Sequence, residues 1–330
     1  MEQREITRYG WLVNWSDSGG RVTGLVKLIR RIRWWSAALW VVGLSLIAVA
    51  YGAPPEVAYS PAEEIGQLEK ETIKESSGMA PSWRSKERFW THNDSGDEAR
   101  LYAFGPHGEH QGTSKVKRAG SEDWEAIDSY QLNGQPYLLV GDIGDNLGRR
   151  PLVSVHVIPE PVDPSDDSQA VAQVDFRYEG GSVDCEAMSL DTDRRELYLV
   201  EKQLRHLTSR VYVLPWPEKL PIGVKPADRP VLEAKLIGSI PQIAVTDMAF
   251  SADNQHLVIN TYGDLYVYGR DKAETWREGL ARPPLRIRGP ARRQGEAVCF
   301  DHDTLDILLT SEGSQAPIWR IRPLAPRQGQ

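Results

Sequence analysis

Residues 186–214 read EAMSLDTDRRELYLVEKQLRHLTSRVYVL: an acidic residue, an apolar run, a polar turn, a second apolar run, a polar cluster and a third run. Short runs rich in Leu, Val and Tyr between Asp, Arg, Ser and Thr read as strands. The pattern recurs four more times. Ser77-Gly78-Met79 leads RFWTHND and RLYAF, and Glu125-Ala126-Ile127 leads YLLVGD and VSVHVI. Asp247-Met248-Ala249 leads HLVINTY and DLYVY, and Glu296-Ala297-Val298 leads DILLTSE and PIWRIR. Successive lead residues stand 48, 61, 61 and 49 positions apart. Further strand-like stretches, GTSKVKR, AVAQVDFRY, EAKLIGSI and PLRIR, lie between the repeats. Four short strands per repeat of about 50 residues predict an all-β protein, a β-propeller.

The count gives five four-stranded blades, with a sixth built from the longer insertions as the competing count. The fifth repeat ends after three strands, so an earlier segment has to complete it. The stretch 67–74 (QLEKETIK) is expected to pair with the sheet holding residues 317–322, which would remove an open edge. The expected organisation is a basic n-region at 1–33, a hydrophobic helix at 34–52, a linker at 53–63, the propeller at 64–324 and a tail at 325–330.

With 330 residues, 40% of them hydrophobic and 26% charged, the chain is neither disordered nor collagen-like. A net charge of −7 argues against a nucleic-acid partner. The first 50 residues run the other way, with seven Lys and Arg against three Asp and Glu. Lys27, Arg30, Arg31 and Arg33 precede the uncharged stretch 34–55, whose most apolar part is AALWVVGLSLIAVA. Basic residues on that flank keep it in the cytoplasm and send the body of the chain outward. The stretch reads equally as a membrane anchor, by its length, or as a cleaved signal, by Ala48-Val49-Ala50. Either places the propeller outside the cytoplasm, anchored to the membrane or secreted. Cys185 and Cys299 fall in apolar strands of non-adjacent repeats and read as free buried thiols.

The first strand of a propeller repeat is innermost, so the repeat leads ring the channel mouth. They are Ser77, Glu125, Glu186, Thr246 or Asp247, and Glu296. Acids gathered in a poorly solvated channel either take up protons or recruit a cation. A ring of carboxylate and hydroxyl oxygens suits calcium, and the alternative is bonding to neighbouring backbone N–H groups. Hairpin pairing brings the ends of the second strands to the same face. These carry His92-Asn93-Asp94, Asp142 and Asp145-Asn146, Glu201-Lys202, Tyr262-Gly263-Asp264 and Ser311-Glu312. Glu122, Asp123 and Trp124 lie on the loop leading into Glu125. No G-x-S-x-G, H-E-x-x-H, P-loop or C-x-x-C occurs.

HNDSGD, DWEAID, YLLVGDIGDN and IPEP together resemble a group of bacterial extracytoplasmic propeller proteins of uncharacterised activity, over roughly residues 75–320. The ring order Ser–Glu–Glu–(Thr/Asp)–Glu is similar to the calcium-activated nucleotidase (apyrase) family, and more loosely to phytase-like propellers. The nucleotidase resemblance implies a central calcium held by Ser77, Glu125, Glu186, Thr246 or Asp247, and Glu296. On this reading the protein is a calcium-dependent hydrolase of a phosphate or other ester, acting as a monomer on a small anionic substrate. Asp94, Asp142, Asp145, Glu201 or His92 would activate water, and Arg150, Lys202, Asn146 and Tyr262 would hold the substrate. The competing class is a non-catalytic propeller binding a protein, glycan or envelope component, with calcium as a rivet.

The charge pattern of the head makes one prediction. A reporter active only in the periplasm, fused after residue 60, should be active, and a cytoplasm-only reporter should be silent. The reverse pattern would remove the export argument.

Overall fold

The structure is a computed structural model and describes residues 57–94 and 96–324. The n-region, the hydrophobic helix and the tail expected from sequence lie outside the described residues. Among the described residues no helix is long and apolar enough to cross a membrane.

The chain begins with β1 (Ala58–Tyr59) and β2 (Glu63–Gln67). The first antiparallel unit is β3 (Ser76–Pro81), β4 (Phe89–Asn93), β5 (Arg100–Phe104) and β6 (His110–Lys117). The second is β7 (Trp124–Leu132), β8 (Gln135–Asp142), β9 (Val153–Pro159) and, after the short β10 (Ser168–Gln169), β11 (Ala172–Tyr178). The third is β12 (Cys185–Asp191), β13 (Glu196–Glu201), β14 (Ser209–Pro215) and β15 (Val231–Ile240). The fourth holds β16 (Val245–Phe250), β17 (His256–Thr261), β18 (Leu265–Gly269) and β19 (Leu285–Ile287), with helix α1 (Trp276–Leu280) before its last strand. The fifth is β20 (Gly295–Phe300), β21 (Ile307–Ser311) and β22 (Pro317–Ile321), completed by β2, while β23 (Pro323–Leu324) pairs with β1. The first strand of each unit packs against the first strand of the next, and β20 packs against β3, so the inner strands close a ring. The fold is an all-β propeller.

Local chemistry sets the hairpins. Asn133-Gly134 forms a two-residue loop with φ of 52° and 76°, the turn whose twist matches its flanking strands. Asp191 ends one inner strand and Asp301 directly follows another, and each accepts from two backbone N–H groups of the adjoining turn.

The core lies between the faces of neighbouring units. Units one and two share Trp90, Leu101, Ile127 and Val140; units two and three share Val155, Phe176, Met188 and Tyr212. The inner strands are also stitched by side chains. Asp128 accepts from the Leu190 N–H (2.7 Å), and Ser189 accepts from the Phe250 N–H (3.1 Å). Edges are covered rather than left open: β11 pairs in parallel with β15, joining units two and three, and β10 covers β6. Cys185 and Cys299 are free and buried, in units three and five.

The closing strand differs from its expected position. It is Glu63–Gln67 that pairs with Pro317–Ile321, and of the expected 67–74 only Gln67 takes part. Beyond Gln67 the chain turns inward, burying Leu68 and Ile73 in the core between units five and one. Gly66 explains the fit, because any Cβ there would run into the His107 carbonyl. Part of the expected linker is also inside the fold, since Ala58–Tyr59 pairs with Pro323–Leu324.

Gly66→Ala should therefore loosen the closure without changing the rest of the sheet. Overpacking of this kind costs about 1–3 kcal/mol, readable as a lower urea midpoint. An unchanged midpoint would mean that β2 does not close the ring this tightly.

Candidate metal centre

Each inner strand opens with an irregularity. The register skips one residue on the inner strand at Ser77, Glu125, Glu186 and Thr246, and skips Glu296 and Ala297 in the fifth unit. A bulge re-aims a side chain while leaving the strand paired, and here all five residues are buried. Their hairpin partners at this end are Asn93, Asp142, Glu201, Thr261 and Ser311. The two polar sets expected from sequence therefore share one face.

In the fourth unit the bulge falls on Thr246, so Asp247 is corrected as a ring member. Both of its oxygens accept from backbone N–H groups, Met248 and Val298, each at 2.8 Å. It staples β16 to β20. Thr246 donates to the Gly295 carbonyl at 2.7 Å, and Ser77 donates to Glu125 Oε2 at 3.0 Å.

The remaining acids share a mouth with Lys202. Its ammonium is bonded to Glu186 Oε1 and lies 5.1 Å from the centre of the Tyr262 ring. Burial opposes its charge, but Glu186 and Glu296 outweigh burial and hold its pKa above the usual lysine range. Burial raises Glu186 well above the carboxylate range against the pull of Lys202, and it raises Glu296 to about 7. Glu296 Oε1 accepts from Gln294, which also donates to Glu312 at 2.8 Å; Glu296 Oε2 is buried with no hydrogen-bond partner.

A second group stands beside this one. Asp94, Asp123 and Glu125 each place a carboxylate oxygen within 4.8 Å of the others. Burial, then the charge of Asp94, raises Asp123 to about 6. Burial and the charges of Glu186 and Asp94 raise Glu125 well above its ordinary value. Sequence reasoning missed Asp123 as a ligand. The available signal was proximity alone: Asp123 lies on the loop that leads into the strand carrying Glu125.

The other expected site residues are mostly committed to holding loops. Asp142 accepts from the Glu122 and Asp123 N–H groups (3.2 and 3.1 Å) and from Arg150 (2.6 Å). Burial alone would raise its pKa, but His156 and Arg150 hold it at about 2. Asp145 accepts from the Arg149 and Arg150 N–H groups, both at 2.7 Å. Glu201 is clasped by Arg210 through Nε (2.9 Å) and Nη2 (2.8 Å). His92 is fully buried, bonded through Nδ1 to the Asn93 carbonyl and set edge-on to Trp124; burial lowers its pKa. Arg150 is tied to Gly144 and Asp142, and Asn146 is exposed. Tyr262 is half-buried and accepts from Gln294 at 3.4 Å.

No family model and no curated protein matches the chain. Among solved structures it is similar to glutaminyl cyclase from Myxococcus xanthus, at 10% identity with a TM-score of 0.45, covering 83% of this chain and 100% of that one. It is also similar to the β-propeller domain of Cps50 (Swd1) from Myceliophteria thermophila, at 10% identity with a TM-score of 0.40, covering 78% and 99%.

Asp142 should behave as a structural residue. Asp142→Ala takes a carboxylate partner from the half-buried Arg150 and leaves the Glu122 and Asp123 N–H groups without their acceptor, a loss of about 1–3 kcal/mol. Chemical denaturation should show it as a large fall in stability. A variant as stable as the parent would return Asp142 to the residues free for chemistry.

Proposed function

We propose that this propeller is a calcium-dependent hydrolase of a phosphate or other ester, working outside the cytoplasm, with cation and anionic substrate meeting at the acidic channel mouth. What carries the reading is a charge imbalance. Asp94, Asp123, Glu125, Glu186 and Glu296 gather there, against Lys202, which acts on the three glutamates, and Arg150, which acts on Asp123. Three buried and two half-buried carboxylates in one place call for a further positive charge or for protons.

Calcium held at the mouth would polarise a scissile oxygen and offset the charge of the substrate. The protein's own residues would do the rest. Glu296, with a pKa of about 7 and an unpartnered oxygen, is the best-placed proton acceptor for an attacking water. Lys202 and Tyr262 border the same space and would hold the anion.

The commitments of Asp142, Asp145 and Glu201 support a second reading. With those acids spent on loops, the mouth would serve a non-catalytic propeller that binds a protein, glycan or envelope component around a structural calcium.

Two measurements separate these readings. Both expect calcium to raise the melting temperature and chelator to lower it, with about 2.7 kcal/mol gained at a hundredfold excess over the dissociation constant. Only the hydrolase should turn over a panel of nucleotides, phosphomonoesters and carboxylic esters with calcium present. In that case Glu296→Gln should lower kcat by about a hundredfold or more while staying folded. Absence of turnover across the panel would leave the binding module standing.

A further inference from the structure

We infer that the cation seat lies off the propeller axis, among Asp94, Asp123 and Glu125, and that Lys202 fills the axial place that the inner ring would otherwise offer to a metal. This rests on the reading that the mouth takes calcium, and it differs from that reading in where the ion sits.

The axial ring is a poor metal site as built. Of its five positions, Thr246 is spent on the Gly295 carbonyl and Glu186 on the Lys202 ammonium. Lys202 also acts on Glu296 and Glu125, so an ion on the axis would face a fixed like charge. Lys202 thus supplies part of the ring's positive charge from within the chain.

The off-axis group has the opposite character. Its three carboxylate oxygens lie within 4.8 Å of one another, the separation of two oxygens on opposite sides of one calcium at roughly 2.4 Å each. Glu125 Oε1 is buried and has no hydrogen-bond partner, while Oε2 of the same carboxylate is satisfied by Ser77. An acceptor buried without a donor is costly unless something positive meets it. Gly144 shows where that oxygen points. A Cβ on Gly144 would stand 2.5 Å from Asp123 Oδ2 and 2.6 Å from Glu125 Oε1. The two oxygens thus converge beside a backbone that only glycine leaves open.

The surrounding bonds serve this point. The Ile143 and Gly144 N–H groups donate to the Asp123 carbonyl (3.1 and 3.3 Å), and Asp142 grips the Glu122 and Asp123 N–H groups. Asp145 receives the next two arginine N–H groups, and its own N–H donates to Asp184 at 3.1 Å. HNDSGD supplies Asp94, DWEA supplies Asp123 and Glu125, and GDIGDN supplies Gly144 and the acids that fix the loop. Three motifs distant in sequence meet at one spot. A donor set of carboxylate oxygens alone selects a hard cation, calcium.

The test is terbium luminescence on the full chain. Tb³⁺ stands in for calcium, and Trp124, between two of the ligands, sensitises it; calcium competition then gives the affinity. Asp123→Asn and Asp94→Asn should each weaken calcium by tenfold or more, whereas Glu186→Gln and Thr246→Val should change it less than threefold. Melting curves in chelator establish that the ligand variants remain folded. Gly144→Ala, which keeps every ligand, should also lose affinity. Loss of binding in Glu186→Gln with retention in Asp123→Asn would overturn the off-axis seat and leave the calcium reading intact. No terbium or calcium binding by the parent would overturn both. Binding as expected without turnover on the ester panel would end the hydrolase reading alone.

Discussion

The Lys202–Glu186 ion pair is the interaction around which the channel mouth is arranged. Closing a ring of inner strands brings one bulged position per unit to the same mouth, and three of those five residues are glutamates. Such a ring would carry uncompensated charge in a water-poor space. Lys202 comes directly after β13 and reaches across from the third unit toward Tyr262 in the fourth and Glu296 in the fifth. One amine is thereby shared by several acids. Part of the remaining imbalance appears as raised carboxylate pKa values, and part as oxygens without a donor.

The fold can tolerate this because the mouth is a small region on a large apolar framework. Tryptophans, tyrosines and branched aliphatics fill the spaces between units, and acids such as the half-buried Asp128 and the buried Asp247 act as staples, accepting backbone N–H groups of the next strand. Neither cysteine is in a disulfide. Closure comes instead from pairing an early strand with a late one, which makes the ring depend on residues near both ends of the described chain.

Much of the fold was legible because a propeller repeats its own signal. The apolar runs, their spacing and the missing outer strand of the last repeat all pointed to a closed ring. The closing strand was placed a few residues late because QLEKETIK is a spare stretch just ahead of the first repeat, although its Leu68 and Ile73 are drawn inward as core plugs. Its true position depends on Gly66 meeting a carbonyl 41 residues away, a contact that strand periodicity does not encode. The site was legible by type more than by role. A bulge adds one residue to a strand, so alternation counted along the sequence could not choose between Thr246 and Asp247. Acidic character at Asp142, Asp145 and Glu201 was visible, but their partners are backbone N–H groups and arginines brought in by folding. That the Lys202 ammonium lies against Glu186 is likewise a contact that a linear pattern does not show.

Unfolding free energy against pH, in chelator, for the parent and for Lys202→Met, reaches the centre of this picture. Glu186 and Glu296 have folded pKa values above their unfolded ones, Glu296 at about 7 against 4.5. The folded state therefore binds the extra protons, and stability that is present below about pH 4.5 is lost as pH rises through 7. Lys202 opposes that loss while it is charged, and it stays charged across this range. If Lys202 is the counter-charge of the ring, Lys202→Met will lose stability between about pH 5 and 8 with a visibly steeper slope than the parent. Parallel curves, displaced by a constant amount, would show that the lysine only packs at the mouth and that the acids are neutralised by something else.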